Sequence, residues 1–160
     1  MRFTQQLGIM SLLPVHLAAA CIHYNKPTMV TEKERNAQPV DSFAPDSGFG
    51  DITWKTLISA PDTPTYNLTA GYATCDPGDS CLAPHTHEPP EIYFLTKGKA
   101  RMTIGSKERD VAAGDTIFIP GNVTHGIRVP ANNESVTFGT MEWFYVYAVD
   151  GFSEVEYVKQ

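Results

Sequence analysis

The chain places two histidines and a glutamate where they could bind a transition-metal ion. Within residues 84–91, His85 and His87 are separated by one residue. Alternate residues of an extended strand point the same way, so both imidazoles face one side. The turn at residues 88–90 reverses the chain and can bring the Glu91 carboxylate beside them. Two neutral nitrogens and one anionic oxygen suit a borderline divalent ion such as Fe, Mn, Ni, Zn, Co or Cu.

A later segment supplies a fourth ligand. Gly114-Asp115 opens a predicted strand, Pro120-Gly121-Asn122 turns the chain, and His125 follows. A ligand from a neighbouring strand would complete the set and leave coordination positions for water and substrate. The pattern therefore predicts one divalent transition-metal ion bound by His85, His87, Glu91 and His125.

Strands must position these ligands, and from residue 51 onward the sequence repeats with a period of two. Turn signals rich in glycine and proline separate the apolar runs, which recur about every eight to twelve residues. The predicted strands cover residues 51–59, 65–75, 91–96, 100–104, 109–112, 116–119, 126–129, 135–138 and 142–148. No amphipathic helix interrupts them, so the sequence predicts an all-β sandwich or barrel, a class that includes jelly rolls.

Composition and charge restrict the functions open to this chain. It has 160 residues, enough for one domain, and a net charge of −6 with a pI near 5.2. No long cluster of lysine and arginine occurs, which excludes a nucleic-acid footprint. An acidic surface also argues against docking on anionic membranes. We therefore expect a small-molecule partner, with neither nucleic acid nor membrane involved.

The N-terminal third divides into two predicted segments ahead of the domain at residues 51–157. Residues 1–21 have a charged start, an apolar middle and small residues, which is typical of a signal peptide or of an N-terminal extension. The segment is too short to span a bilayer. Residues 22–50 are predicted to be an irregular arm, with a helical turn at residues 32–36. The chain is secreted if residues 1–21 are cleaved and cytoplasmic otherwise.

The three cysteines admit two interpretations. Cys21, Cys75 and Cys81 match neither a disulfide framework nor a zinc site in number and spacing. They are either free thiols or include a Cys75–Cys81 disulfide, which requires a secreted chain.

The ligand segments resemble the two motifs of the cupin family. His-x-His-x3-Glu-x6-Gly, at residues 85–98, resembles the first motif, and Gly-x5-Pro-x4-His, at residues 114–125, resembles the second. Gly121 comes one place early, Gly78 lies one residue too far upstream, and Val129 replaces a usual asparagine, but none of these is a ligand. The resemblance implies a double-stranded β-helix, or jelly-roll, barrel with an irregular N-terminal extension.

A closer resemblance covers about residues 51–157. Segments 52–60, 91–93, 119–125 and above all Phe152-Ser-Glu-Val-Glu-Tyr157 are similar to the small cupin lyases that cleave dimethylsulfoniopropionate, and to a wider group of single-domain cupins. This implies a metal-dependent lyase in which the substrate carboxylate binds the metal and Tyr93 removes the α-proton. Tyr93 lies two residues after Glu91 on one strand and so faces the same cavity. A nearby dication would lower the pKa of its phenol; the alternative is a barrel-lining aromatic that only packs.

The resemblance is weaker at a second tyrosine that assists in those lyases. Its place is occupied by Phe144, with Tyr145 and Tyr147 nearby, and a register shift of one residue would reverse the face. Four further side chains are predicted to bind substrate, although each could equally be barrel core: Trp54, Tyr72, Met102 and Tyr145.

Several functions remain compatible with the same four ligands, because they fix the metal and not the reaction. The first is a lyase acting on a small carboxylate. The second is a cupin dioxygenase, a decarboxylase, or an isomerase or cyclase of secondary metabolism. The third is a non-enzymatic binding module for a small molecule. A homodimer formed through barrel edges is also expected, because an unpaired edge strand tends to find a partner.

Overall fold

The protein is described by a computed structural model that covers residues 27–78, 80–133 and 137–160. Within these residues one short α-helix, α1 (Glu32–Ala37), precedes eleven strands, and a 3-10 helix (Phe152–Glu154) lies between the last two strands. The strands are β1 (Asp41–Ser42), β2 (Thr53–Ile58), β3 (Thr69–Cys75), β4 (Leu82–Thr86), β5 (Glu91–Lys97), β6 (Lys99–Ile104), β7 (Lys107–Ala112), β8 (Thr116–Ile119), β9 (His125–Arg128), β10 (Met141–Tyr147) and β11 (Val158–Lys159).

The strands form two antiparallel sheets that face each other. The first sheet has the order β1-β2-β3-β10-β5-β8, and the second has the order β11-β4-β9-β6-β7. Several neighbours are distant in sequence, such as β3 and β10 in the first sheet and β4 and β9 in the second, as in a jelly roll. The predicted all-β barrel with an irregular N-terminal extension is therefore confirmed. Among the described residues, no helix has the length and apolar character needed to cross a membrane.

Strict alternation along the longest strands builds the core. In β10 the odd-numbered residues from Met141 to Tyr147 are buried and the even-numbered ones are only partly so. In β5, Glu91, Tyr93 and Leu95 are buried in the same way. Because side chains of a strand alternate between faces, this pattern turns one face of each sheet into the barrel interior.

Two close backbone approaches hold the ligand-bearing segments together. The Asn122 amide donates to the His87 carbonyl at 2.7 Å, which joins the turn before β9 to the loop after β4. A Cβ atom at Gly121 would collide with the Glu88 carbonyl, so this approach requires glycine. Sequence segments that are far apart thereby come together at one end of the barrel.

Several predicted boundaries differ from the structure. β1 and β11 were not among the predicted strands, and β4 was predicted only as the extended segment that carries His85 and His87. Residues 137–138 of the predicted strand 135–138 are not in a strand, and residues 134–136 lie outside the described part. The predicted helical turn is α1, which begins with a capping box between Thr31 and Glu34. Short strands at sheet edges carry too few residues to show a period.

Of the two interpretations of the cysteines, the structure contains the disulfide. Cys75 at the end of β3 is bonded to Cys81, immediately before β4, with their Cα atoms 5.5 Å apart. Both residues are buried. Cys21 and the predicted signal peptide lie outside the described residues.

Candidate metal centre

The three motif histidines meet inside the barrel. His85 on β4 lies directly opposite His125 on β9, and their ring centroids are 4.2 Å apart. His87, immediately after β4, has its ring centroid 4.7 Å from that of His125. All three side chains are 2% exposed or less. The strand pairing of β4 with β9 thus brings the two motifs to one point.

A backbone carbonyl two residues away orients each ring. The Nδ1 atoms of His85, His87 and His125 lie 3.0, 2.7 and 2.8 Å from the carbonyl oxygens of Ala83, Pro89 and Val123. Because a carbonyl can only accept, each Nδ1 carries the proton and each Nε2 keeps its lone pair. Such support by surrounding groups is what fixes the tautomer and orientation of metal-binding histidines.

The free nitrogens converge with a carboxylate oxygen. His87 Nε2 lies 3.1 Å from His125 Nε2, and Glu91 Oε2 lies 3.3 Å and 3.4 Å from these two atoms. Ligands about 2.1 Å from one ion are separated by about 3.0 Å at right angles and about 3.4 Å in a tetrahedron. The distances between these three donor atoms therefore suit a shared cation.

One buried atom makes the case for a cation stronger. His85 Nε2 is buried and has no hydrogen-bond partner among the described residues. Leaving a buried polar atom unpaired is costly unless another group satisfies it. One ring nitrogen of each of His85, His87 and His125 lies within 4.8 Å of the other two, so a single ion could satisfy all three.

Burial and neighbouring charges tune these groups for metal binding. Burial, together with the nearby His125, lowers the pKa of His85 to about 4, which keeps this ring neutral near pH 7. Burial opposes ionisation of Glu91, but His125 and His87 outweigh it, so the pKa of Glu91 lies below its usual value. Neutral imidazoles and an ionised carboxylate are the forms that bind metals.

Tyr93 lies beside this cluster, as its position on β5 predicted. It is 2% exposed, and its ring centroid is 6.3 Å from that of His125. Burial, followed by the charge of Glu91, raises the pKa of Tyr93 well above its usual value near 10. A cation at the cluster would act in the opposite direction, because it stabilises the phenolate.

Of the four predicted substrate-binding residues, two line the cavity, one lies in the core and one lies on the outer face. Trp54 and Tyr145 line a small cavity together with Glu91 and Tyr93. Met102 is fully buried in the core between β7 and β9 but is not among the residues that line this cavity.

The structure does not bring Tyr72 to the cavity, which corrects that expectation. Its hydroxyl group is 2.7 Å from Thr96 Oγ1 and donates to Glu142, and the Arg35 guanidinium lies 4.2 Å from its ring centroid. Along β3 the inward neighbour is Ala73, which is fully buried. Alternation therefore turns Tyr72 to the outer face.

The same alternation decides the open question about the last long strand. Tyr145 and Tyr147 on β10 are buried, whereas Phe144 is only partly buried. Tyr147 lies edge-on to His87 with ring centroids 4.9 Å apart. The inward tyrosines, and not Phe144, are thus the residues near the ligands.

Sequence reasoning missed the aromatic residues that cover the ligands from outside the long strands. Tyr157, just before β11, stacks on His85 with ring centroids 4.8 Å apart, and its hydroxyl group shares a 2.7 Å hydrogen bond with that of Tyr147. The ring centroids of Phe43 and Phe49 lie 5.2 and 5.9 Å from that of Tyr157. We call Phe43, Phe49 and Tyr157 the aromatic cover. The position of Tyr157 in the C-terminal segment that resembles the lyases was the available signal for it.

Comparisons with known proteins agree with this architecture. A family model described as "Cupin domain" matches residues 71–147. Dimethylsulfoniopropionate lyase DddW of Ruegeria pomeroyi is 32% identical over 112 residues, which are 70% of this chain and 68% of that protein. The acetylacetone-cleaving enzyme of Acinetobacter johnsonii is 41% identical over 71 residues, which are 44% of this chain and 41% of that protein.

Among solved structures, a similar fold occurs in the polyketide cyclase RemF of Streptomyces resistomycificus. The TM-score is 0.64 at 19% identity, and the match covers 82% of this chain and 85% of that one. At this identity the likeness concerns the fold alone.

Proposed function

This chain belongs to the cupin family, and from that premise we propose that it is a metal-dependent lyase acting on a small carboxylate. Its curated relatives include enzymes, which supports an enzymatic function in general. The strongest support for a lyase is the position of Tyr93, buried beside a carboxylate and three histidines whose nitrogens converge. The relative from Ruegeria pomeroyi is named for the same class of reaction.

His85, His87, Glu91 and His125 would hold one divalent transition-metal ion. The bound ion would act as a Lewis acid toward the substrate carboxylate and so acidify the neighbouring α-proton. The backbone carbonyls behind the three rings keep the Nε2 atoms aimed at one point before any ligand arrives. This preorganisation avoids reorientation of the ligands during turnover.

Tyr93 would act as the general base. Its Oη atom takes the α-proton, the electron pair of the C–H bond becomes the new carbon–carbon double bond, and the bond from the β-carbon to the leaving group breaks. For dimethylsulfoniopropionate the products are acrylate and dimethyl sulfide, with the proton left on Tyr93. Because burial raises the pKa of the free phenol, this base should work only when a cation is bound nearby.

The cavity walls suit a substrate that carries a positive group next to its carboxylate. Apart from Glu91, no charged residue of the described chain lines the cavity, and five of its lining residues are aromatic rings besides Tyr93. These are Phe43, Trp54, Trp143, Tyr145 and Tyr157. Aromatic faces attract cationic groups that have lost their water. The walls would also exclude water from the reacting atoms.

A direct test measures metal content and dimethyl sulfide release together. Purified protein is loaded with Fe, Mn, Ni, Zn or Co in turn, analysed for bound metal, and assayed with dimethylsulfoniopropionate. We expect stoichiometric metal and product release, which Tyr93→Phe abolishes while metal remains bound. Tyr72→Phe is the matched control, since Tyr72 lies on the outer face. Metal without product from any loaded form would contradict the lyase proposal.

The likeness to the acetylacetone-cleaving enzyme favours a second candidate, in which this chain cleaves acetylacetone or a similar small molecule. We propose a dioxygenase reaction for this candidate. The same ligands could serve a redox metal, because they do not specify the reaction. Oxygen uptake by the iron-loaded protein in the presence of acetylacetone separates the two candidates, since a lyase consumes no oxygen. Uptake without dimethyl sulfide release would replace the lyase proposal with this one.

The outer face of the first sheet supports a homodimer. Ile92 and Phe94 on β5 and Phe118 on the edge strand β8 are exposed, and Ile92 lies directly opposite Phe118. The central outward positions of these two strands are uncharged, so two copies could pack this face against each other without opposing like charges. We expect Phe118→Glu to convert a dimer into a monomer in sedimentation equilibrium. A wild-type monomer at tens of micromolar would exclude this interface.

The disulfide supports an oxidising compartment for this chain. Disulfides persist in secreted and periplasmic proteins and are rare in the cytosol. We therefore propose that the protein functions outside the cytosol. Thiol counting on protein isolated from its native source under denaturing conditions checks this placement: reactive thiols at Cys75 and Cys81 would contradict it.

A further inference from the structure

The proposed metal ligands are closed off from solvent. His85, His87, Glu91 and His125 are all 2% exposed or less. The cavity beside Glu91 and Tyr93 has a volume of about 20 Å³. That volume holds about one water molecule, whereas small-molecule sites usually measure about 300–1,000 Å³. A substrate can therefore reach the ligands only if part of the wall moves.

An open groove lies on the other side of this wall. It has a volume of about 710 Å³ and runs between residues 42–51 and the outer side of β4 and β9. Two residues line both the groove and the small cavity, namely Phe43 and Leu82. They are the places where the wall is one side chain thick.

Leu82 and Phe43 differ in how firmly they are held. Leu82 is 4% exposed and belongs to β4, where it pairs with Ile127 of β9. Phe43 is half-buried and follows β1, which has only two residues and sits at the edge of its sheet. Short pairing at an edge opens more readily than a central ladder. Phe43 is therefore the part of the wall that can move.

The contacts of Phe43 are of a kind that can break and form again. Its ring centroid lies 4.8 Å from Phe49, 5.0 Å from Trp54 and 5.2 Å from Tyr157. These are ring-to-ring contacts without a hydrogen bond to orient them. Downstream of Phe43, Gly48 and Gly50 have φ angles of 73° and 103°, a conformation open mainly to glycine, which lets the segment bend back over the barrel.

We propose that Phe43 is the gate between the open groove and the metal-side cavity, and that its side chain sets the size of substrate that reaches the ligands. In this closed structure the ring separates the two spaces. Displacement of residues 41–50 joins them and enlarges the cavity on the side of Trp54 and Tyr157. The part of the proposal that concerns substrate size rests on the proposed lyase function, whereas the gate itself does not.

A metal-independent measurement tests the gate first. The sequence contains two tryptophans, Trp54 and Trp143, and both line the cavity. In a Trp54→Phe background, Trp143 is the sole tryptophan reporter and is 1% exposed. We expect Phe43→Ala to increase acrylamide quenching of Trp143 severalfold. Val40→Ala is the control, because Val40 is exposed in the same segment and lines neither space; quenching there should match the background protein.

The second measurement follows metal release from loaded protein into excess chelator. We expect Phe43→Ala to accelerate release about tenfold, since the ring contacts that keep the wall closed are lost. The equilibrium affinity for the metal should change little, because Phe43 is not a ligand. If Phe43→Ala does not fold, as judged by circular dichroism, Phe43→Leu takes its place with a smaller expected acceleration. Unchanged quenching and unchanged release in a folded variant would overturn the gate.

Substrate size supplies the third measurement and separates this inference from the proposed function. With lyase activity, Phe43→Ala should raise kcat/KM for analogues with bulkier sulfonium groups relative to dimethylsulfoniopropionate. Equal ratios in wild type and variant would overturn the size selection. If the protein has no lyase activity, the proposed function fails, while quenching and metal release still decide whether Phe43 is the gate. Faster release in Tyr157→Ala but not in Phe43→Ala would place the entrance at the C-terminal segment and overturn the assignment to Phe43.

Discussion

The ligand cluster and the aromatic cover are neighbours, yet they are held in different ways. His85, Glu91 and His125 project from β4, β5 and β9, which pair with other strands inside the sheets, and His87 follows β4 directly. A backbone carbonyl fixes each histidine ring. The cover residues Phe43 and Tyr157 adjoin β1 and β11, each of two residues at a sheet edge. One region fixes distances between donor atoms, while the other controls access to them.

This difference teaches how a buried site can be both exact and reachable. A metal centre needs donor atoms placed within a fraction of an ångström, which central strands provide. A substrate needs a path, which segments with few backbone hydrogen bonds provide at low cost. Changes in the two regions should therefore have different signatures, affinity in the first and rates in the second.

Removing a ligand should have the largest effect. His125→Ala deletes one of the converging nitrogens, and we expect metal affinity to fall by more than about 100-fold, beyond the effect of losing a supporting group alone. Calorimetric titration and metal analysis measure this. His23→Ala is the matched control, because His23 lies outside both motifs. Stoichiometric metal in His125→Ala would remove His125 from the proposed ligand set.

The second largest effect is expected from acid, which should destabilise the metal-free folded protein. The pKa of His85 is about 4 when folded, because of burial and then His125, and about 6.5 when unfolded. The unfolded chain thus takes up the proton first, so stability present above pH 6.5 is lost as the pH falls toward 4, by about 3 kcal/mol. Urea denaturation across this range measures the loss.

His85→Gln is the control for the acid effect, because it removes the titrating ring but keeps a polar side chain. We expect the slope of stability against pH between 6.5 and 4 to flatten in this variant. An equal slope in wild type and His85→Gln would assign the acid sensitivity to other groups.

Breaking the disulfide should have an intermediate effect on stability. The Cys75–Cys81 bond closes a short loop, so replacing both cysteines with serine should lower the free energy of unfolding by about 2 kcal/mol. Guanidinium denaturation measures this change. The segment after Phe49 is bound there through the Asp51 and Ile52 amides, which donate to the Ser80 and Cys81 carbonyls.

The same double variant also tests whether the disulfide holds the aromatic cover in place. In the Trp54→Phe background, we expect acrylamide quenching of Trp143 to stay near its value without the cysteine replacements, because Phe43 is not attached to the disulfide loop directly. A large increase in quenching would show that the disulfide holds the cover closed, and the contrast between the two regions would then fail.

The smallest effect is expected inside the cover itself. Tyr157→Phe keeps the ring that stacks on His85 but removes the hydrogen bond to Tyr147, which should lower stability by about 1 kcal/mol. Metal affinity should change by less than about twofold, since no donor atom is altered. A tenfold loss of affinity would mean that Tyr157 helps to position the ligands and is more than a cover.

The sequence predicted correctly which side chains share one face of a strand, but not which face of every strand points into the barrel. The His85-x-His87 spacing and the period of two around Glu91 and Tyr93 predicted which side chains share a face, because strand geometry is local. Tyr72 was predicted to bind substrate without an argument about which face of its strand it occupies, and that prediction was wrong. Its neighbour Ala73 is the one that faces inward.

By itself, the sequence determined the family, the all-β fold and the candidate ligand set, since each depends on residue types at short, fixed spacings. The tertiary structure alone decided that β4 pairs with β9, which aligns His85 with His125, and that Tyr145 and Tyr147 face inward in place of Phe144. It also brought Phe49 and Tyr157, from opposite ends of the described chain, against the same histidine, His85. Contacts between such distant residues arise only when the chain closes its barrel, and no local pattern records them.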